Sequence, residues 1–266
     1  MLSTSNAPRE VTSTDGPCIT VANLDMAYGD VVVQRDLSFS VCHGEVFIIM
    51  GRSGCGKSTL LRHMVGLQQP ARGDVLYNGE SFWRGDPEAQ SEMMRRLGVL
   101  YQGGALWSSM TLTENVALPL QEFTDLSPAE IRAVVSLKLA LVGLAGYEEY
   151  YPAQLSGGMQ KRAGLARAIA LDPAILFLDE PSAGLDPIGA KLLDDLILDL
   201  RDGLEATVVV VTHELASILS IGDRAVFLDA ETHTMIAEGN PMALLKDATN
   251  PAVRAFLTRG APVPVA

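Results

Sequence analysis

The stretch Gly51-Arg52-Ser53-Gly54-Cys55-Gly56-Lys57-Ser58-Thr59 limits what this chain can become more than any other. Glycines at 51 and 56 followed by Lys57 and Ser58 have the spacing of a phosphate-binding loop. Before it, Val46-Phe47-Ile48-Ile49-Met50 reads as a buried parallel strand. After it, Leu60-Leu61-Arg62-His63-Met64-Val65 places apolar residues one helical turn apart and closes on Gly66. A strand, a glycine loop and a helix N-terminus gather backbone N–H groups around one point, which attracts an anion. Lys57 is expected to reach the β- and γ-phosphates of a nucleotide, and the Ser58 hydroxyl to hold Mg²⁺. Cys55 lies inside the loop, where a helix N-terminus lowers a thiol pKa, although a small side chain there also simply fills space.

The chain has 266 residues, 48% hydrophobic and 20% charged, enough for one large α/β domain with subdomains. Its net charge of −12 makes it a poor match for nucleic acid, which demands clustered Lys and Arg, and no nucleic-acid partner is expected. The same charge disfavours adhesion to anionic lipid. Cys18, Cys42 and Cys55 are scattered and odd in number, so a reducing compartment is expected rather than a disulfide framework. Cys42 and His43 are adjacent but have no second pair nearby, and read as ordinary residues. Residues 1–17 are rich in Ser, Thr, Pro and Gly without an apolar core segment, and read as a disordered tail rather than a signal peptide. No apolar run approaches the ~18 residues a membrane helix needs, so any spanning is expected of other chains.

Taken in order, Ile19-Thr20-Val21, Val31-Val32-Val33 and Leu37 to Val41 favour strands, with a turn at Tyr28-Gly29-Asp30. Tyr28 is either an aromatic platform for a nucleobase or a surface tyrosine. Leu76-Tyr77-Asn78-Gly79-Glu80 reads as a strand and an Asn-Gly hairpin turn. Arg95 to Gln102 reads as a core strand whose last residue points into a ligand crevice, or is a plain loop residue. From 105 to 150 helical signals take over, with a capping box and a first-turn proline at Ser127-Pro128-Ala129-Glu130. Leu106, Trp107, Met110 and Leu112 are apolar for a loop and are either core or a docking surface.

Leu155-Ser156-Gly157-Gly158-Met159 opens a further helix, as a second phosphate cradle or as a structural N-cap. Ala174 to Glu180 is an apolar strand ending in two carboxylates, which are costly there without a task. Asp179 fits the role of holding Mg²⁺, and Glu180 that of accepting a proton from an attacking water. Asp186 caps the next helix with Pro187 at its first position. Thr207 to Val211 is another core strand, and His213 follows it at the sheet edge shared by Asp179 and Gln102. A hairpin around Glu231-Thr232-His233 and short helices at Asn240-Pro241 and Asn250-Pro251 follow, with Gly260 to Ala266 expected to fray.

This ordered set resembles the ATP-binding cassette (ABC) ATPases, over about residues 18–245. The resemblance implies a P-loop NTPase (RecA-like) α/β core with an antiparallel β subdomain and an inserted α-helical subdomain at about 105–158, then a C-terminal helix and tail at 246–266. It implies ATP and Mg²⁺ as ligands. Tyr28 would stack on adenine, and Gly51 through Thr59 would wrap the phosphates. Gln102 would touch Mg²⁺ and couple the site to the helical subdomain. Ser156, Gly157 and Gly158 would meet the γ-phosphate held by a second copy, with Asp186 at the same interface. Glu180 would be the base, His213 the switch histidine, and Lys57 and Gln102 further catalytic residues. Met159 departs from the Gln that many members carry. Tyr101 to Trp107, Thr113 to Leu120, Leu155 to Ala170 and Asn250 to Leu257 resemble the MlaF-type subgroup more narrowly. The wider ABC resemblance implies a head-to-tail, ATP-gated dimer, while this narrower likeness implies phospholipid transport between inner and outer membranes. Its implied partners are an integral permease, an MCE-domain protein and a STAS-domain protein, at the cytoplasmic face of the inner membrane.

Overall fold

Strand β3 (Val46–Met50) is buried along its whole length, and its side chains divide by alternation. Val46, Ile48 and Met50 enter one hydrophobic cluster, and Phe47 and Ile49 enter another. Strands β7 (Ile175–Asp179) and β8 (Thr207–Val211) divide the same way, with Leu176, Leu178, Val208 and Val210 on one face and Phe177, Val209 and Val211 on the other. A sheet with both faces covered requires continuous apolar strands, which is why these runs do not alternate with polar residues. Each such side chain contributes roughly 1.5–3 kcal/mol through burial.

The computed structural model describes residues 16–259. Its main sheet has the order β10-β9-β3-β8-β7-β6, where β6 is Leu97–Leu100, β9 is Arg224–Asp229 and β10 is Thr234–Gly239. All neighbours in it are parallel except the β9–β10 hairpin. A second sheet, β2-β1-β4-β5, is antiparallel throughout, with β1 Ile19–Tyr28, β2 Val31–Val41, β4 Arg72–Tyr77 and β5 Glu80–Ser81. It covers one face of the main sheet; Phe39 of β2 stacks on Phe47 of β3 at 5.3 Å between ring centroids. The other face is covered by α3 (Leu112–Phe123), α4 (Pro128–Leu141), α5 (Gly157–Ala168), α6 (Pro187–Leu204) and α7 (Leu215–Ile221), whose apolar residues join its cluster.

The α/β core, the antiparallel sheet and the helical insertion agree with the expected architecture. Three local readings change. The two stretches read in 31–41 are one strand, β2. The strand expected from Arg95 to Gln102 is confined to β6, because Arg95 ends helix α2 (Pro87–Arg95) and Arg96 caps it. Asp86 opens α2 by accepting from the Ala89 N–H at 2.8 Å, with Pro87 at its first position. This N-cap followed by proline is the same kind of start as Ser127-Pro128 and is equally visible in the sequence. The apolar group at 106–112 splits: Leu112 is fully buried, whereas Trp107 is 60% exposed. Among the described residues no helix is long and apolar enough to cross a membrane. The tail expected at the N-terminus and the frayed C-terminus lie largely outside the described residues.

Candidate functional site

The parallel strands β3, β6, β7 and β8 all end at one edge, so the residues that follow them converge. Past β3 the chain enters the 51–56 loop and then α1 (Lys57–Met64). Gly51 has φ 152°, and a Cβ there would lie 2.4 Å from the Leu228 carbonyl oxygen, so only glycine lets the loop leave the sheet at this point. Lys57 folds back, donating from Nζ to the carbonyl oxygens of Gly51 at 2.9 Å and Arg52 at 3.2 Å. Ser53, Gly54, Gly56, Lys57, Ser58, Thr59, Gln102, Glu180 and His213 line one cleft of about 430 Å³. Arg52 is exposed beside it. Cys55 is buried at 1% exposure, and burial pushes its thiol pKa up, so it fills space rather than presenting a thiolate.

Two carboxylates end β7 with different surroundings. Asp179 accepts from the Ser58 hydroxyl at 3.0 Å, and burial pushes its pKa up. An oxygen-only pair of this kind fits Mg²⁺, which takes one or two protein oxygens and completes its shell with water and phosphate. Glu180 follows with φ 48°, a left-handed conformation that is strained for a side chain of its size. Its N–H donates to the Val211 carbonyl at 2.8 Å, Oε1 lies 2.8 Å from His213 Nδ1, and Oε2 is buried without a partner. A buried carboxylate oxygen without a donor is an exception that calls for an explanation, and Glu180 is one of the residues lining the cleft.

Tyr28 stands on the rim at 49% exposure, its hydroxyl donating to Gln68 Oε1 at 3.1 Å. Ser156 caps α5 by accepting from the Met159 N–H at 3.3 Å. Ser156, Gly157, Gly158 and Asp186 do not join the first cleft. They line a separate hollow of about 540 Å³, together with Leu141, Leu185 and Leu192. Asp186 accepts from the N–H groups of Ile188 and Gly189 at 3.0 Å, which holds its carboxyl below the usual carboxylate range.

The sequence reading missed residues that support this edge from behind. Gln34 of β2 is fully buried and donates from Nε2 to the Cys55 carbonyl at 2.7 Å and the Asp229 carbonyl at 2.8 Å, tying the glycine loop to both sheets. Asn115 is fully buried and donates to the carbonyls of Trp107, Met110 and Thr111, which fixes the loop before α3. Lys161 is 7% exposed and donates to the Glu180 carbonyl. The partners of Gln34 and Lys161 are distant in sequence and leave no local signal.

A family model described as ABC transporter matches residues 34–183. The intermembrane phospholipid transport system ATP-binding protein MlaF of Haemophilus influenzae is 41% identical over 228 residues, 86% of this chain and 86% of that protein. Its namesake in Escherichia coli K12 is 39% identical over 252 residues, 92% of this chain and 93% of the relative. The probable ribonucleotide transport ATP-binding protein mkl of Mycobacterium tuberculosis H37Rv is 39% identical over 242 residues, 91% of this chain and 67% of the relative. Among solved structures, cbiO1 of Clostridium perfringens, part of the ABC transporter complex cbiONQ, superimposes with a TM-score of 0.79 at 25% identity, covering 88% of this chain and 92% of that one. The ATP-binding cassette MJ0796, solved as a dimer in a post-hydrolysis state with ADP and Pi, gives a TM-score of 0.76 at 29% identity, covering 84% and 98%. The chain belongs to the ABC transporter family, as an ATP-binding subunit with ATPase activity.

Proposed function

We propose that this ATPase powers phospholipid transport between two membranes, working as a head-to-tail dimer against an integral permease with MCE-domain and STAS-domain partners. The observation that carries the dimer is the separation of the two linings. Lys57, Ser58, Gln102, Glu180 and His213 share one cleft, while Ser156, Gly157, Gly158 and Asp186 share another, with no residue in common. Each chain then holds two half-sites, and a second copy closes both around ATP. The cargo rests on the MlaF relatives, similar over nearly their whole length. The assembly sits at the cytoplasmic face of the inner membrane, held there by the permease, with the 103–120 region facing it.

In this reading Tyr28 stacks on adenine, and Gly51 through Thr59 wrap the phosphates with backbone N–H groups. Lys57 leaves the Gly51 and Arg52 carbonyls and turns to the β- and γ-phosphates. Ser58, Asp179 and Gln102 hold Mg²⁺, which when bound neutralises charge on the phosphate oxygens. Glu180 takes the proton of the attacking water at its free Oε2. His213 donates from Nδ1 to Oε1 and so fixes the carboxylate's direction. Loss of the γ-phosphate removes a part of the dimer interface, so hydrolysis becomes a two-state switch that moves the permease.

The test is purification of the intact complex from membranes, followed by identification of its proteins and lipids. Co-purification of an MCE-domain protein with retained phospholipid supports the cargo. Stimulation of ATPase activity by a soluble solute-binding protein overturns it. A second reading follows from the mycobacterial relatives, whose name assigns ribonucleotide transport. Nucleotide-stimulated uptake into vesicles carrying the complex, without lipid movement, would select that reading.

A further inference from the structure

Lys161 is a buried cation with a narrow task. It lies on α5, the helix that Ser156 opens, and is 7% exposed. Its Nζ donates to the carbonyl oxygen of Glu180 at 3.2 Å and to that of Ala183. Among the described residues it forms no ion pair. Taking an ammonium out of water without a carboxylate is a poor route to stability. Its two acceptors bracket the turn between β7 and Asp186, where Ala183 N–H also donates to the Glu180 carbonyl at 3.3 Å.

That turn contains a strained point. Glu180 at φ 48° is in the left-handed region, which is unfavourable for a residue with a Cβ. Such a conformation persists only where several contacts over-determine it. The Glu180 N–H is held by Val211 of β8, and its Oε1 lies against His213. Its carbonyl is held from the other side by Lys161. Relaxing φ at residue 180 would swing the carboxylate away from the cleft. The grip comes from the helix whose first turn carries Ser156, Gly157 and Gly158.

We propose that Lys161 is a positioning residue for ATP hydrolysis: by clamping the carbonyls of Glu180 and Ala183 it fixes the left-handed turn that aims the Glu180 carboxylate, and it ties that turn to the helix that Ser156 opens. The proposal rests on the reading of Glu180 as the base and of Ser156 as a contact to nucleotide held by a second copy. In that dimer α5 touches the partner's nucleotide with its first turn and grips its own chain's Glu180 with Lys161. The state of one site is thereby passed to the other through a rigid helix.

A double-mutant cycle between Lys161→Met and Glu180→Gln tests this in the full-length chain. The readouts are affinity for a fluorescent ATP analogue, steady-state hydrolysis and single-turnover hydrolysis. Lys161→Met is expected to keep analogue affinity and KM within about twofold while kcat falls by about 10–100-fold. In the Glu180→Gln background the same substitution is expected to cause no further loss. Lys161→Arg, which restores donors at a similar reach, is expected to recover part of kcat. Equal losses in both backgrounds, or loss of analogue affinity together with kcat, would overturn the proposal. If Lys161→Met does not fold, Lys161→Gln carries the same cycle and the same criteria. Failure of the underlying reading looks different: Glu180→Gln alone would then hydrolyse ATP normally or stay monomeric with ATP.

Discussion

His213 Nδ1 lies 2.8 Å from Glu180 Oε1, although the two residues follow different strands, β8 and β7, and are far apart in sequence. With the carboxylate ionised, the imidazole donates to Oε1, which leaves Oε2 buried and without a partner. The pair predicts a division of labour. Glu180→Gln is isosteric and keeps the contact to His213, but it removes the proton acceptor. Hydrolysis is expected to fall by about 10²–10⁴-fold while ATP binding is retained. ATP-bound dimers then accumulate, visible by size-exclusion chromatography with ATP. A monomer at all concentrations would count against a site shared between two chains.

Lys57→Ala addresses the loop itself. The ammonium now satisfies the Gly51 and Arg52 carbonyls at the floor of the loop. It must exchange them for phosphate oxygens when nucleotide enters. A charge-assisted bond of this kind is worth about 1.5–3 kcal/mol, so affinity for a fluorescent ATP analogue is expected to drop at least ~10-fold. Unchanged affinity would refute the role given to Lys57.

Much of the candidate site was legible because its residues sit at strand ends. Glu180 and His213 follow apolar runs that only a buried parallel sheet explains, and a parallel sheet brings its C-terminal ends together. The division of the site into two linings followed from family resemblance, since no spacing rule separates Ser156 from Lys57 in space. Gln34 and Lys161 were not legible at all. Gln34 sits in a strand otherwise half exposed and reaches Asp229 across most of the chain's length. Lys161 lies among the polar residues of an apparently ordinary helix. Helix α2 was missed for a simpler reason: its residues are nowhere buried, so no apolar face announced it beyond the Asp86-Pro87 start.

The close approach of α5 to the loop after β6 gives a third prediction. A Cβ at Gly164 would lie 2.8 Å from the Gly104 carbonyl oxygen and 2.9 Å from its Cα. The same carbonyl accepts from Arg167 Nη2 at 3.2 Å. Gly164→Ala therefore has to push the Gln102 to Gly104 segment off the helix. Over-packing of this kind costs roughly 1–3 kcal/mol, measurable as a shift of the urea midpoint without a change in slope. An unchanged midpoint would mean that the loop yields freely.

Asp194 predicts a pH effect with a defined sign. It lies on α6 at 3% exposure near Ser217, and its Oδ1 is buried without a hydrogen-bond partner. Burial pushes its carboxyl pKa up, with Asp195 adding to the shift and Ser217 and Lys191 opposing it. The folded chain therefore holds this proton more tightly than the unfolded chain does. The resulting stabilisation is complete below the ordinary carboxylate range and is lost as pH rises through the raised value. Asp194→Asn removes the titration while keeping the size and shape of the side chain. The variant's melting temperature relative to the natural chain is expected to increase as pH is raised from about 4.5 to 8. A gain on the order of 1 kcal/mol corresponds to roughly 2–4 °C in a chain of this size. Thermal melts of both proteins across that range check it, and a difference that stays flat or falls with pH would show that Asp194 is ionised without penalty in the folded chain.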